Sequence, residues 1–180
     1  MRKSISGFTI VELIVAITVI GILAAIVIVA YNGFQTRTKA GVIEVGLKDI
    51  EKSLRVYGAD QKWSSWPLDT AIDPSVPGGT PTIQQLITDL PNYAQYLKTA
   101  PSTSDFPTSA WTYDYDGDVK SSCGTLASGT NIMITGVPSN VASSVDSAMD
   151  DGNTNCGRIR YDSTTSRLYY SLSYTNDLNL

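Results

Sequence analysis

One carboxylate lies inside a stretch that otherwise reads as hydrocarbon. Residues Phe8 to Ala30 run FTIVELIVAITVIGILAAIVIVA, and nineteen of the 23 are apolar, the exceptions being Thr9, Glu12, Thr18 and Gly21. A carboxylate inside such a span is costly to insert and rare without a role, so Glu12 calls for a function. It follows Phe8 by four residues, one helical turn. Scission of the Gly7–Phe8 bond would place a new ammonium beside that carboxylate. In a low-dielectric assembly, Glu12 of one copy would then pair with the Phe8 amine of another.

The remaining residues with chemical potential are few. Asp114, Asp116 and Asp118 are spaced like the start of a calcium loop. An EF-hand counted from Asp114 needs Gly sixth and Glu twelfth; Val119 and Thr125 stand there, and Gly117 falls fourth, so an EF-hand is excluded. A looser cation site stays open beside the plainer reading of an alternating strand that meets an Asp-Gly turn. Asp150 and Asp151 form a second acidic spot with the same two readings. Neither spot is assigned a metal. Cys123 and Cys156 are the only thiols, and there is no His. That excludes a Ser-His-Asp triad, a Cys-His pair, a His-ligated metal and a Cys₄ zinc site. The net charge of −4 argues against non-specific phosphate binding, so no specific nucleic acid is expected. With no nucleophile–base constellation, the chain is not expected to be an enzyme and calls for no cofactor.

The elements that position these residues fall into two kinds. Twenty-three helical residues span roughly 34 Å, enough to cross the hydrocarbon core of a bilayer. The leader MRKSISG carries Arg2 and Lys3, which puts the start in the cytoplasm, although Arg37 and Lys39 follow the span. Ile43, Leu47, Ile50, Leu54 and Tyr57 then recur at spacings of four, three, four and three, a single helical stripe. Glu44 with Lys48 and Glu51 with Arg55 are acid-to-base pairs suited to an exposed face. Gly58 is the expected stop, giving one helix from Phe8 to about Tyr57. The stripe fits either a two-stranded coiled coil or packing against the polar body that follows. Gly33, Gly41 and Gly46 either admit close helix approach or weaken the helix.

That body is turn-rich. Residues 31–180 hold 18 Ser and 17 Thr, and all eight Pro lie at or beyond Pro67. Residues 58–81 read as an irregular loop. Thr82–Leu97 has helical spacing and breaks near Pro91. Strands are expected at Trp111–Tyr115 (ending in an Asp116-Gly117 turn), Thr130–Thr135, Gly157–Tyr161 and Arg167–Tyr174, with a short helix at Val141–Met149. The fold class is α+β: a long N-terminal helix whose second half packs on a small antiparallel sheet.

Gly7-Phe8-Thr9-Ile10-Val11-Glu12, followed by an apolar helix, resembles the processing motif of type IV prepilins. The likeness continues through Ile20-Gly21-Ile22-Leu23-Ala24-Ala25-Ile26 to Ala30-Tyr31. The resemblance implies that a membrane peptidase cuts after Gly7 and N-methylates Phe8, and that Glu12 is needed for assembly. It also implies the α+β layout above. Major pilins, minor pilins and pseudopilins share this signature. Many pilins carry a Pro near the end of the apolar run, where this chain has Val29; Gly21 is retained. With no Pro before Pro67, nothing forces a kink. The stretch from Asp150-Asp151-Gly152-Asn153 to Gly157-Arg158-Ile159-Arg160 is similar to segments of some pilin-like proteins, or is a polar turn between two elements.

The resulting reading divides the chain into a cleaved leader (1–7), a transmembrane and filament-core helix half (8–30), an amphipathic half (31–57), a connecting region with a short helix (58–110) and the sheet with its loops (111–180). The expected function is a pilin of a type IV pilus-like surface filament, supporting adhesion or motility. Its partners would be other copies of itself, prepilin peptidase, and the assembly platform and motor proteins. It would sit in the cytoplasmic membrane as precursor and in an extracellular filament afterwards. Pilins commonly pin a surface loop with one disulfide, which here would join Cys123 to Cys156; two free thiols are the alternative. The rival functions are a pseudopilin or minor pilin of a type II secretion or DNA-uptake system, and a membrane-anchored extracytoplasmic binding domain with an uncleaved anchor.

Overall fold

The computed structural model describes residues 9–62, 66, 80–106, 109–117 and 129–173. Helix α1 (Ile10–Gln61) is an unbroken α-helix of 52 residues that passes through both Gly21 and Val29. Its start is built by a reciprocal cap. Thr9 Oγ1 accepts from the Glu12 backbone N–H at 3.2 Å, while the Glu12 carboxylate accepts from Thr9 N–H and Thr9 Oγ1, both at 2.9 Å. The helix runs past the expected stop. Gly58 is buried within it, and the chain leaves at Lys62, whose φ is 55°.

The chain divides into two compact units between Thr36 and Arg37. In the first unit, every large hydrophobic from Ile10 to Phe34 is at least half exposed. Thr18 returns its hydroxyl to Ile14 O at 2.7 Å, so it brings no unmet donor to that apolar surface.

The second unit contains the rest of α1, α2 (Ile83–Asp89), a 3₁₀ turn (Tyr93–Gln95), β1 (Trp111–Gly117), β2 (Gly129–Ile134), α3 (Ser139–Met149), β3 (Ile159–Asp162) and β4 (Arg167–Ser173). The four strands form one antiparallel sheet in the order β1-β2-β4-β3. Ile43, Leu47, Ile50 and Leu54 are fully buried and Tyr57 nearly so, in one core with Ile132, Ile134, Leu168, Tyr170 and Leu172. The stripe on α1 is therefore covered by this chain's own sheet, and the coiled-coil alternative falls. α2 carries a second reciprocal cap, between Thr82 and Gln85. The segment leading into it lies along β1, where Tyr113 N–H donates to Pro81 O at 2.8 Å.

Two local expectations are corrected. Asp116-Gly117 is not the hairpin turn: Gly117 still pairs with Gly129, across a register shift after Asp114, so the strand outlasts its alternating pattern. Gly46 admits close approach within the chain's own fold, by a strand and not by another helix. A Cβ there would lie 2.8 Å from Trp111 Cζ2 and 3.1 Å from Pro101 Cβ, so the missing side chain lets β1 approach α1. Among the described residues, nothing stands within 4 Å of Gly33 or Gly41 in the same sense.

Candidate functional site

The N-terminal site is a surface with one polar feature at its head. α1 is long and apolar enough to cross a membrane, and its most apolar window is wholly unburied. Glu12 is exposed at the first turn of this helix, held by Thr9 as described. Sequence reasoning missed that role, although Thr9-x-x-Glu12 ahead of an apolar run is a capping-box signature. Gly7 and Phe8 lie outside the described residues.

A second set of charged groups ties α1 to the sheet. Glu51 Oε1 accepts from Arg55 Nε at 3.0 Å and from an Arg158 terminal nitrogen at 3.2 Å. Its other oxygen accepts from the Tyr170 hydroxyl. Arg158 also donates to Tyr170 Oη at 2.8 Å and stacks 4.7 Å from that ring's centre. Burial pushes the Glu51 carboxyl up, but hydrogen bonds from Tyr170 and Arg55 and the charges of Arg158 and Arg55 outweigh it and leave it below its ordinary value. Burial also pushes the Tyr170 hydroxyl up, and Glu51 adds to that. Periodicity presented Glu51–Arg55 as an exposed pair; the sheet makes it half-buried, with partners 107 and 119 residues away in sequence. Glu44 and Lys48 form no ion pair among the described residues.

The acidic spots separate. Asp114 lies in β1, paired with Asn131 on the strand ladder. Asp118 lies outside the described residues. At the end of α3 the structure joins a third carboxylate, Asp146, to the expected Asp150 and Asp151, with oxygens of all three within 4.8 Å of one another. Asp150 Oδ2 accepts from Ile159 N–H at 3.0 Å, and Asp151 Oδ1 from Asn153 N–H at 2.8 Å. Gly157, at φ 81°, passes so near that a Cβ would overlap Asp150 Oδ2. Burial, then the charges of Asp151 and Asp150, push the Asp146 carboxyl up to about 6. The missed signal was spacing: Asp146 stands four residues before Asp150, beside the buried Val141, Ala142 and Val145 of α3. Cys156 follows in the turn before β3 and is not a free thiol. Cys123 lies outside the described residues.

A long helix, apolar then amphipathic, with its second half on a small antiparallel sheet, defines the type IV pilin-like class of proteins. Comparison with known proteins agrees: the prokaryotic N-terminal methylation motif matches residues 2–28. The motif and the fold together support a likeness to the type IV pilin and pseudopilin superfamily. Two curated relatives, both described as fimbrial protein from Pseudomonas aeruginosa, are 39% identical to it over 74 residues, covering 39% of this chain and 48% of theirs. The chain therefore aligns with about half the length of these relatives. No solved structure gives a significant match.

Proposed function

We propose that this chain is a structural subunit of a type IV pilus-like surface filament. One observation carries the reading. The methylation motif over residues 2–28 runs straight into a helical segment whose large hydrophobics, from Ile10 to Phe34, are all exposed. An apolar surface of that extent demands a cover. Lipid supplies it in the precursor, since about 20 apolar helical residues span a bilayer. Neighbouring copies supply it in the filament.

In this reading prepilin peptidase cuts between Gly7 and Phe8 and methylates the new amine of Phe8. Glu12 then meets the Phe8 amine of a neighbour, each group relieving the burial penalty of the other. The assembly platform and motor proteins lift the subunit from the membrane, and the Arg37–Leu180 unit forms the outer surface used in adhesion or motility. A disulfide between Cys123 and Cys156 pins the loop before β3, a reading supported by the absence of a free thiol at Cys156. Mass spectrometry of sheared surface filaments tests the proposal: it expects a dominant subunit that begins with N-methylated Phe8. A mature chain that still begins at Met1 would refute it in favour of an uncleaved anchor.

A further inference from the structure

A cleft of about 600 Å³ opens between α1 and residues 96–102, the segment that follows the 3₁₀ turn. That volume lies within the range of small-molecule sites. Its α1 wall carries Asp49, Lys52, Ser53 and Val56. The facing wall offers Tyr96, Leu97 and Pro101 as apolar surface, and Lys98 and Thr99 as polar groups. Both walls are fixed in advance. Buried Ser53 donates to Ile50 O at 2.8 Å and meets the Tyr93 hydroxyl at 2.6 Å. Tyr96 is held by its hydroxyl bond to Asp60 and by edge contact with Tyr57, at 5.5 Å between ring centres.

The charges at this cleft are not matched within the fold. Both ion pairs among the described residues converge on Glu51, and Lys52, Lys98 and Asp49 take part in neither. The backbone N–H groups of Lys98, Thr99 and Ala100 make no backbone hydrogen bond among the described residues. Two ammonium groups, one from each wall, favour an anion, while the carboxylate beside them disfavours a highly charged one. Among the described residues no Arg lines the cleft, so the fork that grips phosphate in two places is missing. Asp49 only accepts hydrogen bonds when ionised, so it calls for donors on the ligand, such as hydroxyls. Apolar surface beside a few convergent polar groups completes a small-ligand site, and here it suits the C–H face of a sugar ring.

We propose that this cleft binds an acidic sugar, a hexose ring bearing one carboxylate. The carboxylate lies between Lys52 and Lys98, the ring hydroxyls donate to Asp49, and the C–H face rests on Leu97 and Pro101. The part this plays in adhesion rests on the filament reading, whereas the binding itself does not.

Ligand-observed NMR with sodium glucuronate tests this, on the full chain in micelles of a sugar-free detergent. At the efficiency ordinary for small ligands, saturable binding with Kd on the order of 1 mM is expected. Lys52 and Lys98 are exposed, so the fold should survive substitution. Lys52→Gln and Lys98→Gln should each weaken binding about tenfold, through loss of a charge-assisted hydrogen bond. Lys48→Gln, at an exposed position outside the cleft, should bind as the parent chain does. Glucose and sodium acetate each carry half of the chemistry and should bind at least about tenfold more weakly than glucuronate. No saturation up to about 20 mM glucuronate, well above the expected Kd, would overturn the proposal. Equal binding of acetate would overturn it as a plain anion contact, and equal binding of glucose would remove the role of the carboxylate. An equal loss in Lys48→Gln would overturn it as diffuse attraction. All of these are read on dispersed subunits, so failure here leaves the Phe8 measurement on filaments untouched.

Discussion

The guanidinium of Arg158, just ahead of β3, lies 3.2 Å from Glu51 Oε1 on α1, so one carboxylate midway along the buried part of the helix locks it to the far edge of the sheet. Tyr170 of β4 completes the triangle by bonding to both partners. The consequence is a stability that depends on pH. Glu51 has a folded-state value below its ordinary one, so its contribution is fully present above the unfolded value, about 4.3, and is lost as pH falls through the folded value. Thermal melts between pH 6 and pH 3 should show the parent chain losing Tm on acidification and Glu51→Gln losing less. At pH 7 Glu51→Gln should cost about 1–3 kcal/mol, because Arg158 and Tyr170 are left poorly met. Parallel pH profiles for the two proteins would contradict this account.

Gly46 gives a test in which helix propensity and packing oppose each other. Gly46→Ala gains about 1 kcal/mol of propensity in a helix interior. It also drives a methyl group to 2.8 Å from the Trp111 ring, with Pro101 at 3.1 Å behind it. Overpacking of that kind costs about 1–3 kcal/mol, so the variant should be less stable. Gly41→Ala, with nothing within 4 Å among the described residues, should instead raise stability by up to about 1 kcal/mol. Chemical denaturation of both variants against the parent chain measures the difference.

Glu12 has two roles that substitution can separate. Gln at the third helical position still completes a capping box with Thr9, so Glu12→Gln keeps the helix start and removes only the charge. Thr9→Ala does the reverse, at about 1 kcal/mol of capping. If pairing with a neighbour's amine drives assembly, Glu12→Gln and Glu12→Ala should insert in the membrane yet yield at least about tenfold fewer filaments, one unit of 1.4 kcal/mol. Thr9→Ala should assemble close to normally. Normal filament yield from Glu12→Gln would remove the charge-pairing role.

The pairing of Cys123 with Cys156 predicts a non-reduced intact mass about two hydrogens below the reduced one, since one S–S bond replaces two S–H groups. Closing a loop of 33 residues should contribute about 3–4 kcal/mol. Reduction should lower the denaturation midpoint of the Arg37–Leu180 unit accordingly. Alkylation of both thiols without a reductant would show them free.

Much of this protein was legible in its residues because the signals are local. The apolar run, its lone carboxylate and the four-three-four-three stripe each rest on periodicity within one helix. The order of helix and strands followed from alternation and turn residues, and the sheet formed where those signals stood. Helix ends were less legible: Gly58 looked like a stop, but its burial against the core outweighed its low propensity and α1 ran on to Gln61.

What tertiary structure alone decided is which distant groups meet. A Glu four residues before an Arg reads as a solvent pair until Arg158 and Tyr170 arrive from the sheet and half-bury it. Asp150 and Asp151 are adjacent in any conformation, whereas Asp146 joins them only because α3 ends there and buries its carboxylate against the core. Gly46 had no distinctive sequence signal, since its role depends on a Trp ring 65 positions further along the chain. Propensity and pattern act within a few residues; desolvation and steric approach are set by chain segments that meet only after folding.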